Sequence, residues 1–231
     1  MDHEQYQNQR YTKDIAYLEN KVYLKKILRY LDEIKPTGRI LEIGCADGSF
    51  SALLRNKYTV MAYGIDISEA MVKKAVLNGV GCIQHDVEEG IPYEDGYFSV
   101  VIATEVIEHI YDTDQFIKEC YRVLKKGGTL ILTTPNLVSI TNRLKMVLGK
   151  YPSYVPEYKT GGAGHIRAYT VPTLKKQVKD HDFKQVFVYG PNTPYPLNLS
   201  FFKLFNAIPE LLGDKFPTIC SHVILYAKKQ K

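Results

Sequence analysis

Several features of common protein classes are missing from this chain of 231 residues. Its four cysteines form no CxxC spacing and no paired framework, which indicates reduced thiols in a cytoplasmic protein. No uncharged apolar run reaches transmembrane length, since the candidate at 197–212 is interrupted by Lys203, Pro209 and Glu210. The polar start, MDHEQYQNQRYTKD, predicts no signal peptide.

Basic residues are too dispersed to predict a nucleic-acid-binding surface. The formal charge is +5, and lysine pairs recur along the chain at 25–26, 73–74, 125–126, 175–176 and 228–229. A nucleic-acid binder more often concentrates such residues into one stripe with interleaved aromatics, so we interpret these lysines as solvated surface. With 45% hydrophobic and 24% charged residues, the composition predicts one globular domain over residues 1–231.

Two phosphate-binding motifs are absent from the glycine-containing stretch ILEIGCADGSF, residues 40–50. The dinucleotide fingerprint G-x-G-x-x-G fails because Ala46 and Ser49 occupy two of its glycine positions. The chain also has no G-x-x-x-x-G-K-[ST] run. These absences disfavour a pyrophosphate or a phosphate as the ligand of this turn.

The turn does contain the pattern E-x-G-x-x-x-G, formed by Glu42, Gly44 and Gly48. The glycines allow a tight bend that brings the backbone against a ligand. The carboxylates of Glu42 and Asp47 would repel a pyrophosphate but suit an ammonium group or the surroundings of a sulfonium. The pattern therefore predicts a phosphate-free nucleoside that carries an amino acid and a positively charged sulfur.

Two further acids follow the next two predicted strands. Asp66, in YGIDIS, comes 24 positions after Glu42 and can accept hydrogen bonds from both ribose hydroxyls. Asp86, in CIQHDVEEG, can accept from an adenine amino group. Either residue could instead cap a helix or form a turn.

Apolar stretches and helical patterns alternate along the chain. This rhythm predicts an α/β fold with a doubly wound, mostly parallel, seven-stranded sheet. The predicted strands are 39–43, 59–65, 82–84, 98–103, 129–133, 184–189 and 222–227. The predicted helices are 15–33, 49–57, 68–78 and 114–124, with Thr170 as the cap of a later one. We divide the single domain into an N-terminal helical cap (1–36), a cofactor-binding core (37–136) and acceptor-side caps (137–183 and 190–217).

Four stretches resemble the class I S-adenosylmethionine-dependent methyltransferases, whose fold is Rossmann-like: ILEIGCADGSF, GIDIS, HDVEEGIPYEDGYFSVVIATEVIEHI and YRVLKKGGTLILTTPN. The resemblance is strong over 37–136 and weaker through the closing strands. It implies S-adenosylmethionine as the methyl donor and a small molecule as the acceptor. The cofactor-binding residues that it implies are Glu42, Gly44, Cys45, Ala46 and Gly48 around the methionine part, Asp66 and Ile67 at the ribose, Asp86 and Val87 at the adenine, and Thr104 and Glu105 beneath the reactive methyl.

The stretch ATEVIEHIYD places Glu105, Glu108 and His109 on one face if it begins a helical turn. In one interpretation Glu105 belongs to the cofactor floor, Glu108 is a surface carboxylate and His109 is a packing residue. In a second, His109 is the general base. In a third, E-x-x-E-H resembles the metal-binding stretch of quinone-biosynthesis O-methyltransferases and small-RNA methyltransferases. Glu105, Glu108 and His109, with the later His165, would then hold a divalent ion. A metal is kept as an alternative and is not our main expectation.

Two more segments either touch ligands or support the site. In GGAGHIRAYT, His165, Arg167 and Tyr169 are candidate acceptor contacts or loop anchors. Near the N-terminus, a segment either closes over the cofactor or frays; its candidate residues are Tyr6, Arg10 and Tyr11.

The cap segments are rich in aromatic and apolar residues, which favours a small apolar or aromatic acceptor. As the acceptor atom we expect oxygen, and nitrogen or carbon are the next candidates. These residues are Tyr151, Tyr154, Val155, Tyr158, Tyr195, Leu197, Leu199, Phe201, Phe202, Leu204 and Phe205. They could equally bury the sheet edge or a dimer contact. Amphipathic helices over 137–148 and 201–212 leave a peripheral membrane or lipid contact open. An NAD-dependent oxidoreductase and a non-catalytic cofactor-binding module remain alternative classes, and the oligomeric state is not predicted.

Overall fold

A computed structural model describes residues 22–154, 164–191 and 213–230 of the protein. Strands and helices alternate along these ranges, as the sequence pattern predicts. The strands are β1 (Arg39–Ile43), β2 (Met61–Asp66), β3 (Gly81–Gln84), β4 (Phe98–Thr104), β5 (Leu124–Pro135), β6 (Lys184–Tyr189) and β7 (His222–Lys228). The helices are α1 (Val22–Ile34), α2 (Ser49–Tyr58), α3 (Glu69–Leu77), α4 (Thr113–Val123), α5 (Ile140–Val147) and α6 (Val171–Asp180).

One seven-stranded sheet in the order β3-β2-β1-β4-β5-β7-β6 organises the fold. Strands β1 to β5 pair in parallel, whereas β7 lies antiparallel to both of its neighbours, β5 and β6. The prediction of a doubly wound, mostly parallel α/β sheet is confirmed. The carboxyl ends of the parallel strands meet at one edge, where ligands bind in folds of this kind.

Both faces of the sheet are covered, which explains the nearly continuous apolar strands. Side chains of β1 alternate between two cores: Ile40 faces the cluster under α1 and α2, and Leu41 faces the cluster under α4 and α6. On β4, Ile102 likewise faces the cluster under α1 and α2, and Val101 faces the cluster under α4 and α6. The sheet is therefore held rigidly from both sides behind its ligand-binding edge.

Helix caps agree with the sequence prediction at two positions. Ser68 caps α3, because its side chain accepts a hydrogen bond from the Met71 N–H. Thr170 caps α6 through a reciprocal pair of bonds with Thr173. Both caps fix the start of a helix that follows a segment of the site.

The fifth strand begins earlier than predicted. The sequence pattern placed a stop at Lys125–Gly128 and the strand from residue 129, but β5 begins at Leu124, directly after α4. Leu124 pairs with Phe98, and a register shift between Phe98 and Val100 accommodates the extra residues. Gly127 has φ +75°, and its N–H donates to the Lys229 carbonyl, so the glycines form an irregularity within the pairing.

Several predicted features lie outside the described residues. These are the first part of the 15–33 helix, the N-terminal candidates Tyr6, Arg10 and Tyr11, and most of the cap aromatics, among them Tyr158, Tyr195 and Phe201. The division into caps and core therefore stays a prediction. Among the helices in the described ranges, none is both long enough and apolar enough to cross a membrane.

Candidate functional site

A cleft of about 650 Å³, including its open mouth, lies at the carboxyl ends of the parallel strands. The segments that follow β1 to β4 each contribute to its walls. The lining residues are Ile43, Gly44, Ile65, Asp66, Ile67, His85, Asp86, Val87, Glu88, Glu105, Val106, His109 and Ile110. The structure thus brings together predicted residues from four separate stretches of sequence.

The glycines of the first turn are needed for packing as well as for its bend. Gly44 and Gly48 have φ values of +70° and +73°, which side chains rarely adopt. A Cβ on Gly44 would lie 2.7 Å from a Val106 methyl, and one on Gly48 would lie 2.8 Å from the Ala75 Cβ. Ala46 also has a positive φ, +47°, at a cost of about 1–2 kcal/mol.

Asp66 is the acid most firmly tied to this turn. Its two carboxylate oxygens accept backbone N–H bonds, one from Ala46 at 2.8 Å and one from Ser68 at 2.9 Å. Burial raises the pKa of Asp66, while the two N–H donors favour its charged form. The bonds orient the carboxylate at the cleft, where ribose binding is predicted.

Glu42 has a different position from the one expected. Its side chain is 4% exposed and accepts a hydrogen bond from the Ser51 hydroxyl on α2. Among the described residues, Glu42 does not line the cleft. We infer that Glu42 supports the turn. Because its side chain is buried, a direct contact with an ammonium group is disfavoured.

The segment after β3 carries the predicted adenine-binding residues and forms a short 3₁₀ turn, Val87–Glu89. Asp86 caps this turn by accepting from the Glu88 N–H at 3.0 Å, which is the capping role considered from sequence. The Glu88 carboxylate in turn accepts the Tyr111 N–H at 2.9 Å. The cap uses one oxygen of Asp86, and the residue still lines the cleft.

Glu105 is held by two partners that the sequence analysis did not identify. It has φ +58°, a conformation that costs a non-glycine residue energy and that clusters at functional sites. Thr133 accepts the Glu105 N–H at 3.1 Å and donates its hydroxyl to the carboxylate at 2.7 Å. His222 Nε2 lies 3.3 Å from the other carboxylate oxygen. Only the sheet topology, which places β5 beside β4 and β7 beside β5, could have revealed these partners.

Glu108, His109 and His165 form a compact cluster at the end of the cleft. Potential ligand atoms of the three side chains all lie within 4.8 Å of one another. Glu108 is 1% exposed, which contradicts the interpretation of this residue as a surface carboxylate, and Ile107–His109 forms a 3₁₀ turn and not an α-helical one. Glu105 is not part of this cluster, so the structure brings together three of the four predicted metal ligands.

Both imidazoles are oriented by backbone carbonyls. His109 Nδ1 lies 3.0 Å from the Gly164 oxygen, and His165 Nδ1 lies 2.9 Å from the Tyr154 oxygen. Since a carbonyl only accepts, each Nδ1 carries a proton, and in the neutral imidazole the lone pair is then on Nε2. His165 Nε2 lies 3.8 Å from Glu108.

Arg167 and Tyr169 are anchors in this structure. The Arg167 guanidinium donates to the carbonyls of Ile110 and Tyr111, and its backbone N–H donates to the Glu108 carbonyl at 3.2 Å. The Tyr169 hydroxyl donates to Gln177 on α6 at 3.1 Å. Contact of either residue with an acceptor stays a prediction.

Two positions beside the cleft complete the list of predicted cofactor residues. Thr104 is the last residue of β4 and immediately precedes Glu105. Cys45 lies in the first turn with its thiol buried against Cys82 on β3, 3.2 Å away. Both are close to the cleft, although neither is among its lining residues in the described part of the chain.

This fold, with a cleft at the switch edge of the sheet, is of the type that binds cofactors through strand-end acids. A model described as a methyltransferase domain matches residues 11–187. The chain belongs to the class I S-adenosylmethionine-dependent methyltransferases. Family membership confirms the enzyme class and the cofactor predicted from sequence, and it removes the support for an NAD-dependent oxidoreductase.

Individual relatives match only part of their own length. A probable S-adenosylmethionine-dependent methyltransferase of Mycolicibacterium smegmatis is 36% identical over 104 residues, which is 44% of this chain and 40% of that protein. The ubiquinone biosynthesis O-methyltransferase of Xanthomonas oryzae pv. oryzae is 32% identical over 119 residues, 49% of each chain. The chain thus matches less than half the length of these curated relatives.

A solved structure resembles the fold over most of the chain. It is a methyltransferase of Thermotoga maritima described as a possible histamine N-methyltransferase, with a TM-score of 0.63 and 22% identity. The similarity covers 88% of this chain and 87% of that one. It supports the fold class alone.

Proposed function

We propose that this chain transfers the methyl group of S-adenosylmethionine to an oxygen atom of a small apolar or aromatic acceptor. One observation carries the proposal: the cleft predicted to hold the cofactor ends at Glu105 and His109, and His109 also belongs to the imidazole cluster. A hydroxyl acceptor must lose a proton during transfer, and an oriented imidazole beside the cofactor cleft can accept it.

The charge of the cleft fits the cofactor. Its described lining includes four carboxylates, which belong to Asp66, Asp86, Glu88 and Glu105, and it includes no Lys or Arg. Such a lining suits a cationic, phosphate-free nucleoside and disfavours a pyrophosphate. S-adenosylmethionine supplies a methyl group on a positively charged sulfur, which is a good leaving group.

The chain's own residues would bind, orient and accept a proton. Asp66, fixed by two backbone N–H bonds, would hold the ribose, and Asp86 with Val87 would flank the adenine. His109, whose Nδ1–H donates to Gly164, would accept the hydroxyl proton at Nε2. Much of the acceleration in such a transfer comes from holding the reactants in line.

Calorimetric titration with S-adenosylhomocysteine tests the cofactor part of the proposal. We expect wild type to bind and Asp66→Ala to lose at least about 3 kcal/mol, because two charge-assisted ribose hydrogen bonds are worth about 1.5–3 kcal/mol each. Asp180→Ala, at an exposed carboxylate on α6, is the control and keeps wild-type affinity. Wild type that fails to bind would refute the proposal.

Radiolabelled S-adenosylmethionine with matched panels of phenols and amines tests the acceptor. We expect label in phenol ethers, and a His109→Gln variant that keeps cofactor affinity but loses kcat by about 10²–10⁴-fold. Transfer to amines alone would contradict oxygen as the acceptor atom. Cofactor binding without transfer to any acceptor would instead favour the non-catalytic module.

A divalent metal at Glu108, His109 and His165 is a second candidate for the acceptor site. The donor set of one carboxylate and two imidazoles suits zinc, manganese or iron. Metal-binding histidines usually donate their other ring N–H to a carbonyl or a carboxylate, as both Nδ1 atoms do here. If a metal is bound, it would polarise an acceptor hydroxyl.

Metal analysis of the purified protein, with thermal unfolding in added Zn²⁺ or Mn²⁺, distinguishes the two candidates. A metal-assisted site predicts stoichiometric metal and a higher Tm in wild type, both lost in His165→Ala. Because Glu105 lies outside the cluster, Glu105→Gln should retain the metal. No stoichiometric metal and no shift in Tm would leave His109 as the base.

A further inference from the structure

Two buried thiols lie behind the cofactor turn. Cys45 Sγ and Cys82 Sγ are 3.2 Å apart, and their residues are 3% and 8% exposed. Neither forms a disulfide, and neither thiol is assigned a chemical step in the proposed transfer. The other two cysteines lie away from this pair: Cys120 is a buried residue of α4, and Cys220 lies beside Gly190.

The contact exists because residue 64 has no side chain. Strand β2 runs between β1 and β3, and its Gly64 pairs with Glu42 on one side and Cys82 on the other. A Cβ on Gly64 would lie 2.5 Å from Cys45 Sγ and 3.1 Å from Cys82 Sγ. Cys45 therefore reaches across β2, through the space above a glycine, to meet the thiol of β3.

The same turn carries a donor to the predicted ribose-binding acid. The Cys45 N–H donates to the Ile65 carbonyl at 3.1 Å, and the adjacent Ala46 N–H donates to Asp66 at 2.8 Å. A disulfide has an S–S length of about 2.05 Å, so its formation would close the gap by about 1.2 Å. Displacement of Cys45 would therefore pull on the backbone that orients Asp66.

We propose that Cys45 and Cys82 form a reversible oxidation site whose disulfide weakens cofactor binding in the cleft. In the forward step both S–H bonds break and one S–S bond forms. The two electrons and two protons pass to a hydroperoxide, so that hydrogen peroxide becomes two molecules of water. A thiol or phosphine reductant reverses the step. The effect on binding rests on the proposed cofactor function, whereas the disulfide itself does not.

The resting pair is sheltered from oxidants. The hydrogen bond with Cys82, followed by burial, raises the pKa of Cys45, so its thiol stays protonated at neutral pH. Since the thiolate is the reactive form, oxidation requires the turn to open. A bound ligand that holds the turn closed should therefore slow disulfide formation.

To test this, wild type, Cys82→Ala and Cys120→Ala are treated with hydrogen peroxide. The affinity of each protein for S-adenosylhomocysteine is then measured by calorimetry. Peptide mass spectrometry without reduction maps the disulfide. We expect a Cys45–Cys82 peptide in wild type, affinity at least about tenfold weaker, and recovery in reductant. Cys82→Ala should bind normally and resist peroxide, because Cys82 lies outside the cleft lining in the described residues. Cys120→Ala should remain sensitive.

The outcomes separate this inference from the proposed function. No Cys45–Cys82 peptide would overturn the inference, and so would a disulfide that leaves affinity unchanged or Cys82→Ala that remains sensitive to peroxide. If reduced wild type does not bind S-adenosylhomocysteine, the cofactor proposal fails, and so does the proposed control of binding, while mass spectrometry still reports on the thiol pair. Preincubation with S-adenosylhomocysteine should slow disulfide formation, and equal rates would contradict the need for the turn to open.

Discussion

One methyl group added at Gly64 tests the packing behind the cofactor turn. Gly64 has no positive φ, so its backbone is open to alanine. Replacement of a strand glycine by alanine stabilises a protein by about 0.5–1 kcal/mol when nothing interferes. Here the new Cβ would lie 2.5 Å from Cys45 Sγ, and overpacking of this kind costs about 1–3 kcal/mol. We expect Gly64→Ala to lower the free energy of unfolding by about 1–2 kcal/mol.

A double-mutant cycle isolates the cause. Cys45→Ala removes the sulfur that the new methyl group would meet, and the closest remaining atoms, Cys45 Cβ and Cys82 Sγ, would each be 3.1 Å away. In this background Gly64→Ala should cost less than about 0.5 kcal/mol, so the coupling energy is at least about 0.5 kcal/mol. Urea denaturation of the four proteins provides the measurement.

Gly81→Ala on β3 is the matched control. Its Cβ would meet the Tyr63 ring at 3.4 Å, an ordinary contact, so its stability should equal or exceed that of wild type. If Gly64→Ala costs the same in both backgrounds, the sulfur contact is not the cause and the packing described here is wrong.

Two other predictions concern hydrogen bonds, one at the site and one on α4. Thr133→Val should destabilise the protein by about 1–2 kcal/mol and weaken S-adenosylhomocysteine binding, because it removes the hydroxyl that orients Glu105. Thr134→Val should be neutral or stabilising in the same assays, since that hydroxyl is buried with no partner among the described residues; equal losses would contradict the assignment. Arg122→Met should destabilise by about 1–3 kcal/mol at pH 7, because the guanidinium holds the pKa of Glu119 below its usual range. A lowered carboxyl pKa contributes stability that is lost as pH falls through the folded value, so the difference between variant and wild type should narrow in acid; a constant gap down to pH 2 would count against it.

The sheet could be predicted well because its signal is local. Strands covered on both faces are continuous apolar runs, and the crossovers between them follow a fixed handedness. β6 has the bounds predicted, and β1 does as well. β5 was predicted too short because its pairing across Gly127 and Gly128 depends on Phe98 and Lys229, which are distant in sequence.

In the candidate site, too, the features that depend on local sequence could be predicted, and those that depend on distant elements could not. The turn residues and strand-end acids follow their strands directly, so their approach to one edge follows from topology. The burial of Glu108, the turn of Glu105 toward His222 and the contact of Cys45 with Cys82 depend on elements that are far apart in the chain. Helical spacing would place Glu105 on one face with Glu108 and His109, but the chain forms a 3₁₀ turn after a left-handed residue, and Glu105 lies outside the cluster of Glu108, His109 and His165.

In its described residues, the loop that carries His165 is attached to the rest of the site by main-chain atoms as well as by the Arg167 side chain. The N–H groups of Ile166 and Arg167 both donate to the Glu108 carbonyl, and the Gly164 carbonyl meets His109. Main-chain attachments survive most amino-acid replacements. Ile166, which is half exposed, can therefore be varied without moving the loop. A library randomised at this position would vary the side chain next to His165 on a constant frame, and it would alter specificity if the predicted contact of His165 with the acceptor holds.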